Sequence, residues 1–91
     1  MSKQPYLDTH NDPHTFVRCF PETVNVDELV WHRDHYNRTV TVIKSEGWKF
    51  QHDNEIPFDL EEGSVFEIAA GMYHRLIKGK GSLILEIHEH R

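Results

Sequence analysis

The chain has 91 residues, of which 37% are hydrophobic and 27% charged, a composition typical of one folded domain. It carries 15 acidic against 10 basic residues, and the resulting formal net charge of -5 argues against a nucleic-acid partner. The single cysteine, Cys19, and an N-terminus without a signal-like apolar run favour a reducing cytoplasm, and no stretch has the roughly 20 apolar residues of a membrane span.

The first half of the chain contains three predicted strands. Residues 1–15 are polar and are predicted to form an N-terminal arm or edge strand, and residues 16–91 are predicted to form a β-barrel domain. Within that domain, residues 16–20 are β-prone and end at Pro21, and residues 28–32 are predicted to be a second strand. Residues 38–43 are almost wholly β-branched, and alternation places Arg38, Val40 and Val42 on one face of this strand.

The second half continues the strand pattern. A turn signal at residues 45–47 predicts a hairpin between 38–43 and a strand at 48–52. Further strands are predicted at residues 56–60, 65–68, 72–77 and 82–88. Pro57 favours a sheet edge for the first of them. Residues 88–91 are predicted to be a frayed polar terminus. Leu83, Leu85 and Ile87 share one face. Short strands with turns about every 8–12 residues, and no convincing helix, predict an all-β sandwich or barrel.

The spacing of four residues carries a family resemblance. Gly63, Ala69, Gly71 and His74 are spaced as in the second motif of the cupins, with Ala69 where that motif has proline. Residues 28–89 therefore resemble a cupin. The resemblance implies an all-β, cupin-type double-stranded β-helix, or jelly-roll barrel, in a single domain.

The first cupin motif is retained only in part. Counted from His32, it places Asp34, Arg38 and Ser45 where the family has its second histidine, its glutamate and its glycine. The family's metal site of three histidines and one glutamate would here consist of His32, Asp34 and His74. Arg38, a cation, takes the position of the glutamate ligand.

The residues themselves also favour a metal site. Side chains two apart on an extended strand point the same way, so His32 and Asp34 are expected to project inward, with Arg33 and His35 pointing outward. With His74 they make two imidazoles and one carboxylate, a set that suits Fe(II), with Zn, Mn or Ni as further divalent candidates. His35 replaces Asp34 if a bulge re-aims it. A pocket that has lost its metal remains the alternative.

A cation facing the barrel interior must be paired. Arg38 is expected to pair with Asp34 or Glu67, or to hold the acidic group of a small ligand through bidentate hydrogen bonds. Arg75 and Tyr73 are further candidate ligand-binding residues.

Two classes of function follow. The first is a small metal-dependent cupin enzyme that acts on a small anionic organic molecule. The second is a non-catalytic cupin that binds a small acid or sugar, or a dimeric structural module without metal. The short chain, with exposed edges and a thin core, also predicts a homodimer.

Overall fold

The computed structural model describes residues 4–91, which form eight β-strands and one turn of 3₁₀ helix at Val26–Glu28. The strands are β1 Leu7–Asp12, β2 Thr15–Phe20, β3 Asn37–Glu46, β4 Lys49–His52, β5 Phe58–Asp59, β6 Val65–Ile68, β7 His74–Ile77 and β8 Lys80–His90. Within residues 4–91 the structure contains no helix with the length and hydrophobicity of a membrane span.

The strands form two sheets. One has five strands in the order β1-β2-β8-β3-β6, and the other has three in the order β5-β4-β7; all pairings are antiparallel. Apolar side chains from both sheets meet in one buried cluster, which makes the chain a single all-β domain, as predicted.

Alternation along β3 and β8 fills that cluster. Val40 and Val42 are buried, as are Leu83, Leu85 and Ile87, while neighbours such as Ile43 are exposed. Because successive side chains of a strand point to opposite faces, each strand presents one apolar face to the core. The predictions for these two faces are confirmed.

The predicted hairpin between residues 38–43 and 48–52 is wrong. β3 pairs with β8 and β6, whereas β4 pairs with β5 and β7 in the other sheet. The chain crosses from one sheet to the other at Gly47, whose φ of +73° lies in the left-handed region that favours glycine. Gly79 packs against this crossing so closely that a Cβ on it would overlap the Glu46 carbonyl oxygen. A turn signal indicates a change of direction, but long-range packing decides which sheet the next strand joins.

The predicted strand at residues 28–32 is also wrong. The side chain of Asn25 accepts a hydrogen bond from the Asp27 N–H and caps the 3₁₀ turn. Glu28, the first residue of the predicted strand, belongs to this turn. From this segment only His32 joins a sheet, through an isolated bridge to His74.

One edge strand of each sheet, β1 in the larger and β5 in the smaller, is polar or short. β1 is the outer strand of the larger sheet and pairs with β2, which begins at Thr15. Residues 1–3 of the predicted arm lie outside the described residues. The strand predicted at 56–60 is reduced to Phe58–Asp59, at the edge of the smaller sheet.

Aliphatic residues at a buried and an exposed position test this account of the core. Leu83 is fully buried on β8, so Leu83→Ala should lower the free energy of unfolding in urea by about 2–5 kcal/mol. Ile56→Ala is the control, since Ile56 is 88% exposed, and should change that free energy by less than about 0.5 kcal/mol. Equal losses at the two positions would contradict the assigned core.

Candidate metal centre

The site is assembled by the bridge between His32 and His74. The His32 N–H donates to the His74 carbonyl oxygen at 3.0 Å, and the His74 N–H donates back at 2.9 Å. The Gly71 N–H also donates to the Asp34 carbonyl oxygen at 2.9 Å. The segment that precedes β3 is therefore held against the start of β7, and three candidate ligands meet there.

The two imidazoles face each other through the same ring atom. His32 Nε2 and His74 Nε2 are 3.0 Å apart. Each Nδ1 faces a carbonyl oxygen, that of Val30 at 3.2 Å and that of Met72 at 2.9 Å. Because a carbonyl oxygen only accepts hydrogen bonds, the proton of each neutral ring belongs on Nδ1, and both Nε2 lone pairs point into the site.

The carboxylate of Asp34 divides its two oxygens between neighbours. Oδ1 lies 3.3 Å from Nη1 of Arg38, whereas Oδ2 lies 3.4 Å from His74 Nε2. Oδ2 is buried and has no hydrogen-bond partner. An unpaired buried oxygen beside two nitrogen lone pairs is costly unless a cation lies among them.

A divalent metal ion fits this donor set. One ligand atom from each of His32, Asp34 and His74 lies within 4.8 Å of the others. Two donors bound to one metal at about 2.1 Å, with angles between a right angle and the tetrahedral angle, lie about 3.0–3.4 Å apart. The Nε2–Nε2 distance of 3.0 Å and the Nε2–Oδ2 distance of 3.4 Å match that range.

A proton on His74 Nε2 is a weaker candidate than a metal ion for the cation between these donors. Burial lowers the pKa of His74 below its ordinary value, and His32 and Arg38 lower it further, although the Met72 carbonyl and Asp34 act in the opposite direction. His74 is therefore held in the neutral form that a metal ligand requires.

Arg38 is paired more fully than the sequence suggested. Its Nη2 and Nε donate to Glu89 Oε2 at 2.8 and 3.2 Å, in addition to its contact with Asp34. Glu67, the other predicted partner, instead accepts a hydrogen bond from Thr39. The reason is register: Arg38 lies opposite Glu89 on the inner face, whereas Glu67 lies opposite Thr39.

Glu89 was missed by the sequence analysis, which assigned it to a frayed terminus. Alternation from Leu83 through Ile87 predicts an inward side chain at residue 89, and Glu89 is indeed buried. Burial raises the pKa of this carboxyl, but hydrogen bonds and charges from Arg91 and Arg38 outweigh that effect and hold the pKa below its ordinary value.

A cavity of about 270 Å³ connects the site to the protein surface. His32, Asp34, Arg38 and His74 line one part of it, and the His32 residue is exposed. Another part is lined by Arg18, whose guanidinium lies 3.6 Å from the centre of the Tyr6 ring. The remaining lining is largely apolar, so a small organic molecule can reach the three candidate ligands.

Three predicted site residues lie elsewhere. Arg75 follows His74 on β7 and points to the other face, where it donates to Gln51 Oε1 at 2.9 Å. Tyr73 is exposed and faces Arg33 rather than the cavity. His35, the alternative to Asp34, is exposed and does not belong to the cluster of candidate ligands. In the structure, Arg75 and Tyr73 thus do not line the cavity, because alternation carries them outward.

Sequence comparison finds no matching family model and no matching curated protein. Comparison of structures does find similar folds. A cupin domain from Bordetella pertussis has 16% sequence identity and a TM-score of 0.64, with 100% of this chain and 99% of that chain covered. An RmlC-like cupin family protein from Methanocaldococcus jannaschii, described as a double-stranded β-helix, has 12% identity and a TM-score of 0.67, covering 96% and 82%.

A third similar structure holds a metal. It is HppE in complex with Fe(II) and substrate, with 18% identity and a TM-score of 0.68, and the match covers 99% of this chain but 55% of that chain. At these identities the likeness establishes the fold. The protein therefore has the cupin fold, a double-stranded β-helix, and the resemblance predicted from the glycine and histidine spacing is confirmed at that level.

The ion pairs that Glu89 forms with Arg91 and Arg38 make stability depend on pH. Because the pKa of Glu89 is lowered in the folded state, its contribution is fully present above the ordinary carboxyl pKa and is lost as the pH falls through the lowered value. Glu89→Gln should therefore be less stable than wild type at pH 7, with a difference that shrinks in acid. Urea unfolding at several pH values measures this.

Glu22→Gln is the control for that experiment. Glu22 is exposed, and within residues 4–91 no cation lies within ion-pair distance of it. The free energy of unfolding of the Glu22→Gln variant at pH 7 should stay within about 0.5 kcal/mol of that of wild type. A Glu89→Gln difference that persists unchanged in acid would contradict the role given to the ion pairs.

Proposed function

We propose that this protein is a metal-binding cupin whose divalent ion is held by His32, Asp34 and His74 and receives a small anionic organic molecule. The observation that carries the proposal is that the Nε2 atoms of His32 and His74 lie 3.0 Å apart, beside Asp34 Oδ2, which is buried and has no hydrogen-bond partner. Carbonyl oxygens fix the orientation of both rings, so the donors are preorganised before any ion arrives.

Fe(II) is the proposed ion. Two imidazoles and one carboxylate are the ligand set of non-haem iron sites with open positions, and such an ion supplies Lewis-acid activation or a site for dioxygen. HppE is an example of this fold that holds Fe(II). A reducing cytoplasm, also favoured by the single cysteine Cys19, would keep iron divalent. Zn, Mn and Ni are the other ions that the donors accommodate.

The charges of the site favour an anionic ligand. Asp34 and Glu89 carry two negative charges, and Arg38 and Arg91 carry two positive charges beside them. A divalent ion at the site leaves two net positive charges, which a carboxylate of the ligand partly neutralises. Arg38 then acts chiefly by holding Asp34 in place, and the attraction for the anion comes from the ion and its surroundings.

A second function has one observation in its favour. Asp34 contacts Arg38 at 3.3 Å, and a protein in which this pairing is the sole role of Asp34 would be a non-catalytic binder of a small acid. The two functions are separated by whether Asp34 coordinates an ion through Oδ2 or serves only as a counter-charge through Oδ1.

We propose in addition that the chain forms a homodimer through the outer face of the larger sheet. Leu7, Cys19 and Ile84 form a row on this face, and the exposed residues Ile43 and Val65 lie on the neighbouring strands. Apolar side chains in such a group on an exposed sheet face are typical of an interface.

Metal binding tests the proposed centre. Metal-free protein should take up about one equivalent of Fe(II) or Zn, measured by calorimetry and elemental mass spectrometry. His74→Ala removes a ligand, so its affinity should fall by more than about 100-fold, which exceeds the loss on changing an outer partner of a ligand. Far-UV circular dichroism checks that the variant remains folded.

His35→Ala is the matched control, because it removes an exposed histidine next to Asp34 without altering the donor set. Its affinity should match that of wild type. A wild-type protein that takes up no ion would contradict the metal centre and favour the non-catalytic binder, and a loss confined to His35→Ala would place the site around that residue instead.

Light scattering after size exclusion tests the dimer. Ile43→Lys places a charge on the proposed face and should raise the dimer dissociation constant about tenfold or more. Ile56→Lys makes the same change at a residue that is 88% exposed in the segment before β5 and should leave the constant unchanged. A monomeric wild type, or equal effects of the two variants, would contradict this interface.

A further inference from the structure

The charged side chains that line the cavity are separated by an apolar middle. They are Asp34 and Arg38 beside the two histidines, and Arg18 and Glu28. On the larger sheet, the inward row of Phe66, Val40 and Ile87 lies between the row that contains Arg38 and the row that contains Arg18. Further hydrocarbon side chains complete the lining, namely Ile68, Leu76 and Leu85. None of these side chains donates or accepts a hydrogen bond, so the middle of the cavity has no polar side chain to offer a ligand.

The cationic groups of the cavity are already paired. Arg18 donates through Nε to Asp8 Oδ1 at 2.8 Å and through Nη2 to Asp8 Oδ2 at 2.9 Å, a bidentate pair. Arg38 donates through Nη2 and Nε to the single oxygen Oε2 of Glu89, and its Nη1 lies 3.3 Å from Asp34 Oδ1. A ligand that recruits either guanidinium must therefore compete with carboxylates that lie largely out of solvent.

We propose that the ligand is an organic anion with one metal-binding acidic group and an apolar body, and not a sugar or a polyhydroxylated acid. This inference rests on the proposed metal centre, which takes the acidic group. The body occupies the hydrocarbon middle, where it gains from the burial of apolar surface. Each hydroxyl placed there loses its hydrogen bonds to water and finds no replacement.

The size of the cavity is consistent with a ring acid. An apolar cavity of about 150 Å³ holds benzene, so a cavity of about 270 Å³ holds a six-membered ring with an attached carboxylate. The exposure of His32 leaves a path for such a molecule from solvent to the site.

Two ring acids that differ only in hydroxyl groups test the proposal. The protein is loaded with Zn, which avoids oxidation chemistry, and titrated calorimetrically with cyclohex-1-ene-1-carboxylate and with shikimate, its trihydroxylated counterpart. The first should bind at least about tenfold more tightly, because shikimate buries its hydroxyls without partners. Leu76→Asn adds hydrogen-bonding groups to the wall and should reduce this ratio, and Ile56→Asn, at a residue that is 88% exposed and does not line the cavity, should not.

Zn stoichiometry is measured before either acid is added, so that the two proposals fail separately. Absence of bound Zn would overturn the metal centre and this inference with it. Bound Zn with shikimate binding as tightly as the apolar acid, or with neither acid binding, would overturn the apolar-body inference alone. If Leu76→Asn does not fold, as judged by circular dichroism and Zn content, the wild-type ratio decides the outcome.

Discussion

The backbone bridge between His32 and His74 is the constraint on which the site depends. Two N–H···O=C hydrogen bonds hold an otherwise irregular segment against the first residue of β7 and bring two imidazoles within 3.0 Å of each other. Each ring is then oriented by a carbonyl two residues before it in the chain. The two imidazole donor atoms are thus placed by main-chain geometry, so the proposed ion would find both rings already oriented.

Charge compensation is the second requirement of this interior. Arg38 extends into a largely apolar barrel and is stable there because Glu89 lies opposite it on β8 and Asp34 lies beside it. The same pairing steadies one oxygen of Asp34 and leaves the other facing the two histidines. A core that must neutralise its own cation therefore also shapes the candidate metal centre, and it keeps the guanidinium from acting as a free anion receptor.

The fold was predictable where local pattern and tertiary structure coincide. Strand periodicity placed Val40 and Val42 on the inner face of β3 and assigned the buried face of β8. It failed at the crossing at Gly47, because a glycine turn reverses the chain equally well within a sheet or between sheets. It failed again at residues 28–32, where a capped 3₁₀ turn replaces most of the expected strand.

The sequence by itself determined the class of fold and the three candidate ligands. Period-two alternation indicates the strands, and the spacing of glycines and His74 carries the resemblance to the cupins. That resemblance, with the His-x-Asp pair, names His32, Asp34 and His74. Only the tertiary structure decided that Glu89 on β8 is the main partner of Arg38, and that the cavity is largely apolar. Those features depend on the register of strands far apart in the chain, and register is set by the packing of the whole core, which no local spacing encodes.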